Sequence, residues 1–345
     1  MTDALTADHA RGAGEDSSRP AVRHFLKDSD LSPAEQAEVL DLAAALKAAP
    51  HSRTPLAHGD ARETVAVIFD KTSTRTRFSF AAGIAELGGQ ALIVNPGESQ
   101  IGHKESVEDT ARILERTVSA IVWRTFGQAG LETMARFSRV PVVNALSDEF
   151  HPCQILADLL TVREEFGTTA GRTLAYIGDA ANNMASSYAL GGALAGMHVR
   201  LCGPQGYRPD PAVVEEAQRI AGETGGSVAV VDEPREAVSG ADVVATDTWV
   251  SMGQEGQKSE RAGAFEGFRV TEELMALARP EAVFLHCLPA YRGVEVDADV
   301  IDGSRSRVWD EAENRRHAQK ALLVWLLQRA EASSSFVDRR PEVSA

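Results

Sequence analysis

A chain of 345 residues is longer than one hydrophobic core usually serves, so two domains are the starting expectation. Hydrophobic residues at 43% with aromatics at only 6% describe an aliphatic α/β protein and exclude a disordered one. The net charge of −15 argues against nucleic acid, whose binders gather basic residues to displace counterions, and no stretch approaches the roughly 20 apolar residues of a membrane helix.

Residues 1–20 carry Asp3, Asp8, Glu15 and Asp16 and no apolar core, which fits neither a secretion signal nor a basic transit peptide. A disordered tail on a cytoplasmic protein is expected. Cys153, Cys202 and Cys287 form no CxxC pair and no zinc-like spacing with histidine, which suits a reducing compartment and suggests no metal site. Ser32-Pro33-Ala34-Glu35 reads as a capping box with proline at the first helical position, and Val39, Leu40, Ala43 and Leu46 follow at helical spacing. Short apolar runs at 64–69, 91–95, 120–123 and 140–144 then alternate with amphipathic stretches, and a second series follows at 173–177, 199–202, 228–231, 243–246 and 283–286. This alternation predicts two parallel-sheet α/β domains of similar size, 21–150 and 151–310, joined by interdomain helices, one of which starts near His151. An amphipathic stretch from Glu313 to Leu327 predicts a C-terminal helix within 311–331 that packs back on the first domain, ahead of a tail at 332–345.

The strongest chemical signal is Ser73-Thr74-Arg75-Thr76-Arg77, placed after the first strand and at the start of a helix. Unpaired N–H groups and the helix dipole favour an anion there, and hydroxyls with guanidiniums supply charge-assisted bonds of the geometry phosphate prefers. Arg75 and Arg77 are two apart and point to different faces, so one of them, Arg75, is expected to grip the ligand. No GxxxxGK[ST] or GxGxxG is present, since Gly178-Asp179-Ala180-Ala181-Asn182 fits neither, so the phosphate is read as that of a small molecule. His151-Pro152-Cys153-Gln154 opens another helix past a strand end. Alone, such a histidine is either a cap or a hydrogen-bond donor to a carbonyl that gains charge, with Gln154 one turn on able to present its amide.

Ser-Thr-Arg-Thr-Arg followed by His-Pro-x-Gln is the pairing of the carbamoyltransferases, and the chain resembles that family from about Arg23 to Leu327. Asp247-Thr248-Trp249-Val250-Ser251-Met252-Gly253 is similar to a segment of its ornithine-specific branch, and His286-Cys287-Leu288-Pro289 and Glu313-Asn314-Arg315 match two more segments. The resemblance implies that Ser73, Thr74, Arg75 and Thr76 bind the phosphate of carbamoyl phosphate, that Arg124 reaches phosphate and carbonyl oxygen, and that Arg315 closes on the phosphate side. It implies His151 and Gln154 at the carbamoyl end, joined by Cys287 and the Leu288 backbone, with Arg124, His151 and Cys287 as the catalytic set. Gln100 matches a glutamine lent to a neighbouring subunit, which implies a homotrimer with shared sites.

For the amine substrate the resemblance implies Asn183, Asp247, Ser251 and Met252. The acceptor loop offers Asp247 and no base before Lys258, which suits a cation such as L-ornithine better than aspartate. Cys287 reads as a substrate contact and not a covalent nucleophile, and His286 as structural; a metal held by both is disfavoured because neighbours in a strand point to opposite faces. The implied reaction is direct amine attack with no cofactor, giving citrulline for arginine biosynthesis, with loop 251–256 the expected mover and carbamoyl phosphate binding first. Sister enzymes using putrescine, an acetylated ornithine or aspartate, an NAD-dependent oxidoreductase, and a non-catalytic anion-binding module remain as rivals.

Overall fold

The computed structural model describes residues 22–102, 104–249 and 263–337. Helix α1 (Pro33–Ala48) begins at the predicted capping box: the Ser32 hydroxyl accepts from Glu35 N–H and the Glu35 carboxylate accepts from Ser32 N–H. A short antiparallel pair, β1 (Ala57–His58) and β2 (Ala61–Arg62), precedes the first sheet. That sheet is built in chain order from β3 (Thr64–Phe69), α2 (Thr74–Glu86), β4 (Gln90–Val94), α3 (Val107–Leu114), β5 (Ala120–Arg124), α4 (Gln128–Phe137) and β6 (Val142–Leu146). Its strands are parallel, in the order β4-β3-β5-β6. The last strand starts two residues later than the apolar run at 140–144 suggests. Pro141 has no N–H to give the ladder, so pairing from that side begins at Val142.

Helix α5 (Pro152–Phe166) carries the chain onward and is buried on every side over its first eleven residues, Pro152 to Val162. The second sheet follows from β7 (Thr173–Ile177), α6 (Asn183–Leu194), β8 (His198–Cys202), α7 (Pro211–Thr224), β9 (Ser227–Val231), α8 (Pro234–Val238), β10 (Val243–Thr246) and β11 (Val283–His286). It is again all parallel, ordered β11-β10-β7-β8-β9. Parallel strands covered by helices on both faces are apolar throughout, which is why they read as unbroken runs. One apolar core runs from Val65 and Val67 of the first sheet, through α5 and α6, to Leu174 and Tyr176 of the second. The fold is therefore two parallel-sheet α/β units on a shared core.

The C-terminal helix (Val308–Val337) is longer at both ends than its amphipathic stretch predicts. Ala330, Glu331 and Ala332 are strong helix formers, so the helix outlasts its apolar stripe. It packs on α1, α2 and α5, returning to the first sheet's helices. Buried Lys320 is satisfied by the Glu86 carboxylate and the Pro50 carbonyl, and Arg315 reaches Thr76 at the start of α2. No helix among the described residues is long and apolar enough to cross a membrane.

Candidate active site

Both sheets point the C-terminal ends of their strands at one cavity of about 580 Å³. This is where open parallel sheets receive ligands, because the loops leaving the strands diverge there and helix N-termini face inward. The loop after β3 supplies Ser73, Thr74 and Arg75; β5 ends in Arg124; the loop after β6 leads to His151; the loop after β7 supplies Asn183; β10 is followed by Asp247 and β11 by Cys287 and Leu288. Arg315 enters from the C-terminal helix.

The first-sheet wall is cationic. Ser73 caps α2, its hydroxyl accepting from Thr76 N–H, so the next N–H groups of that helix start are left for another partner. Arg75 lines the cavity, whereas Arg77 turns to Asn95 and lies over the Phe69 ring. Burial and the neighbouring Arg315 guanidinium pull Arg124 down to about 10, and burial also lowers Arg315. Crowding three guanidiniums into a largely enclosed space is unfavourable unless an anion joins them. Their field, added to burial, holds the His151 imidazole well below its ordinary value, so the ring is neutral and keeps one N–H to donate.

The second-sheet wall is polar and acidic. Asp247 is buried; its carboxylate accepts from Thr248 N–H at 2.7 Å and from the Cys287 thiol at 3.2 Å. Burial raises Asp247, and burial with the Asp247 charge raises Cys287 well above a normal thiol. Cys287 is thus a thiol that donates, not a thiolate that attacks. Asn183 lines the cavity and donates to the Ser147 carbonyl at 2.7 Å, while Asn182 caps α6. Leu288 is the one non-glycine residue at positive φ among the described residues, and its N–H donates to His286 Nδ1 at 2.9 Å.

Family models agree with this division of labour. The carbamoyl-P binding domain of aspartate/ornithine carbamoyltransferase matches residues 23–164, and the Asp/Orn binding domain matches 170–326. The chain belongs to the aspartate/ornithine carbamoyltransferase family. It is 63% identical to the ornithine carbamoyltransferase of Renibacterium salmoninarum, over 90% of this chain and 100% of that one. The crystal structure of ornithine carbamoyltransferase from Pyrococcus furiosus is similar at 42% identity and a TM-score of 0.84, covering 90% of this chain and 98% of that one. An anabolic ornithine carbamoyltransferase from Campylobacter jejuni matches at 38% identity and 0.82, over 88% and 98%.

Of the residues that the sequence singles out within this family frame, the structure gathers Ser73, Thr74, Arg75, Arg124, His151, Asn183, Asp247, Cys287, Leu288 and Arg315 around the cavity. Thr76 lies beneath it, fully buried, its hydroxyl accepting from Arg315 at 2.7 Å. Gln154 is also fully buried and does not line the cavity; its amide nitrogen is turned to two carboxyls in the core. Gln100 is exposed in the loop after β4 and is not among the lining residues. Ser251, Met252 and the rest of loop 251–256 lie outside the described residues. The argument that His286 and Cys287 must diverge does not hold. Strand pairing ends at His286, and donor atoms of Asp247, His286 and Cys287 come within 4.8 Å of one another. His286 Nδ1 accepts from Leu288 N–H, and its Nε2 lies 3.4 Å from the Glu295 carboxyl without a hydrogen bond to it.

Sequence reasoning misses the groups behind the lining. Ser187 on α6 accepts from His151 N–H at 2.9 Å and bonds to the buried Asp28 carboxyl. Asp28 fits only because Gly191 lacks a side chain, since a Cβ there would meet Asp28 at 3.1 Å and Ile155 at 2.4 Å. Burial raises Asp28 from 3.8 to about 8, so at pH 7 it is neutral when folded and ionised when unfolded. Its contribution to stability is complete below 3.8 and is lost as pH rises towards about 8. Asp28→Asn should therefore gain stability over the parent as pH is raised from 5 to 8, by up to about 1 kcal/mol per pH unit, in denaturant titrations.

Proposed function

We propose that the protein transfers the carbamoyl group of carbamoyl phosphate to the side-chain amine of L-ornithine, giving L-citrulline and phosphate. The observation that carries this reading is one cavity with three guanidiniums and a helix N-terminus on one wall and a buried carboxylate on the other. A dianionic phosphate suits the first wall, and a cationic amino acid suits the second.

Ser73, Thr74, Arg75 and Thr76 hold the phosphate, with Arg315 closing over it from the C-terminal helix. Thr76 acts through its hydrogen bond to Arg315. Arg124 and the neutral His151 donate to the carbonyl oxygen, where negative charge builds as the amine attacks. Asn183 and Asp247, with Ser251 and Met252, hold the amino-acid end of ornithine. Cys287 and the Leu288 backbone flank the carbamoyl group. The neutral amine attacks the carbonyl carbon, the tetrahedral intermediate collapses, the C–O bond to phosphate breaks, and the departing phosphate takes the amine proton. Because the Cys287 thiol is raised by burial, the nucleophile is the substrate amine itself, and the reaction as written needs no cofactor. Ornithine's amine, like lysine's, is mostly protonated at neutral pH with an unperturbed value of about 10.4, and desolvation in the cavity favours its release of a proton.

The test is citrulline formation from carbamoyl phosphate and ornithine, run beside putrescine, N-acetylornithine and aspartate. Ornithine should win by at least about a hundredfold, a margin of about 2.7 kcal/mol. A better rate with another amine would reassign the second wall, and no reaction with any would refute transfer. The cellular direction is biosynthetic in this reading, as for the anabolic Campylobacter relative, and three unpaired cysteines suit the cytoplasm.

A homotrimer is part of the same proposal. Gln100 is exposed and is not among the residues that line its own cavity, as expected of a residue that serves the next subunit. Phe78 and Leu92, on α2 and the edge strand β4, are exposed apolar side chains suited to such a contact. Sedimentation should give three chains per particle. Mixing Gln100→Ala with Arg124→Ala subunits should restore activity that neither variant has alone, because some sites in the hybrids are then complete. If mixing restores nothing, sites are not shared.

A further inference from the structure

The Ser-Thr-Arg-Thr-Arg segment carries two arginines, and the cavity takes only the first. Arg75 lines it, while Arg77, two residues on along α2, leaves the helix on another face. Arg77 is half-buried, its guanidinium over the Phe69 ring at 5.6 Å from the centroid, where β3 ends. From that brace it donates to Asn95 Oδ1, just past the end of β4.

Asn95 passes the contact on. An amide accepts at one end and donates at the other, so it can join a cation to an anion. With its oxygen taken by Arg77, the Asn95 nitrogen donates to both Glu98 carboxylate oxygens at 3.0 Å, and the Asn95 backbone N–H donates to the same carboxylate at 2.7 Å. These bonds lower Glu98, and the Arg77 charge adds to the effect, so the carboxylate stays ionised at neutral pH. Asn95-Pro96-Gly97-Glu98 is also a turn. Glu98 N–H donates to the Asn95 carbonyl at 3.0 Å, and Gly97 takes the φ of 81° that a type II turn needs at its third position. Turn and side-chain bonds together fix where the chain goes next, and two residues later comes Gln100. On the far side Ile101 packs against the apolar residues of the first sheet. The exposed Gln100 therefore stands between a polar anchor and an apolar one.

We propose that Arg77 is a positioning residue for the neighbouring subunit's site: braced on Phe69, it sets through Asn95 and Glu98 the loop that presents Gln100 across the interface. The proposal rests on the shared-site reading of Gln100 and deepens it. The two arginines of one helix start then serve two different sites, Arg75 its own and Arg77 the next. Misplacing a contact by about 1 Å can cost about a hundredfold, so Arg77→Ala should lose about ten- to a hundredfold in citrulline formation.

The experiment measures citrulline formation by mixed trimers coproduced from two variants in equal amounts. Arg124→Ala damages a subunit's own site and leaves its Gln100 loop intact. With random assembly, about a quarter of the sites in Arg77→Ala/Arg124→Ala trimers then combine an intact site with an intact loop. That mixture should regain about a quarter of parental activity, whereas Arg77→Ala with Gln100→Ala, both damaged in the loop, should gain nothing over Arg77→Ala alone. The reverse pattern, restoration with Gln100→Ala and none with Arg124→Ala, would place Arg77 in its own site and overturn the proposal. Restoration with both or with neither would make Arg77 a general structural residue and overturn it too. Glu98→Ala, at an exposed position, tests the last link should Arg77→Ala fold poorly. It should complement Arg124→Ala and not Gln100→Ala, and parental activity in Glu98→Ala alone would break the chain. The Gln100→Ala/Arg124→Ala mixture is the control. If it regains nothing, the shared-site reading falls and this proposal with it; if it regains activity while Arg77→Ala with Arg124→Ala does not, this proposal alone falls.

Discussion

Arg124→Ala should lower the turnover of citrulline formation by about two to three orders of magnitude while leaving the melting temperature unchanged or slightly higher. Removing one preorganised donor to a developing oxyanion typically costs about 3–4 kcal/mol of transition-state stabilisation. The donor here is more constrained than most, because Arg124 ends a central strand of the first sheet and is buried beside Arg315. Arg315 and Arg75 are among its neighbours, and removing the guanidinium relieves the repulsion between them. Loss of activity without loss of stability separates a catalytic group from a structural one. Steady-state kinetics and a thermal melt on the same preparation decide the matter; turnover within about threefold of the parent, set against that expected cost, would remove Arg124 from the mechanism.

His151→Ala should fall in the same direction for a related reason. The neutral ring donates one N–H and adds no fourth positive charge, so the histidine contributes hydrogen bonding and not charge. Its position depends on groups that composition and periodicity do not single out. The Ser-Thr-Arg-Thr-Arg segment is legible because anion binding at a helix start needs several recognisable residues in a row. The two sheets are legible because strands buried on both faces must be apolar throughout, as Val65 to Phe69 and Val243 to Val244 are. Asp28, Asp158, Glu295 and Glu311 are not legible in this way. An acidic residue in a helix or loop normally faces water, and nothing local marks those that point inward. Only the packing of the surrounding elements shows that these carboxyls are buried, with Glu311 accepting from Gln154 and from His286 N–H. Gln154 illustrates the limit: the motif places it near His151, but its amide nitrogen is turned to carboxyls four and 157 positions away.

Asp247→Asn should weaken ornithine strongly and carbamoyl phosphate hardly at all. A carboxylate bonded to a cationic amine is a charge-assisted contact worth about 1.5–3 kcal/mol, so kcat/KM for ornithine should fall roughly ten- to 150-fold. Carbamoyl phosphate binding should stay within about twofold, since its guanidiniums belong to the first sheet and the C-terminal helix. The amide replacement is close to isosteric and can still accept from Thr248 N–H and the Cys287 thiol, as the parent carboxylate does. It also cancels the burial cost that raises Asp247 in the parent, so the variant should be at least as stable. A matched fall in affinity for both substrates would mean that Asp247 supports the cavity as a whole. A fall confined to ornithine would mean that the two sheets read the two substrates separately, and that the amine specificity of this fold can be altered without disturbing the site that activates the carbamoyl group.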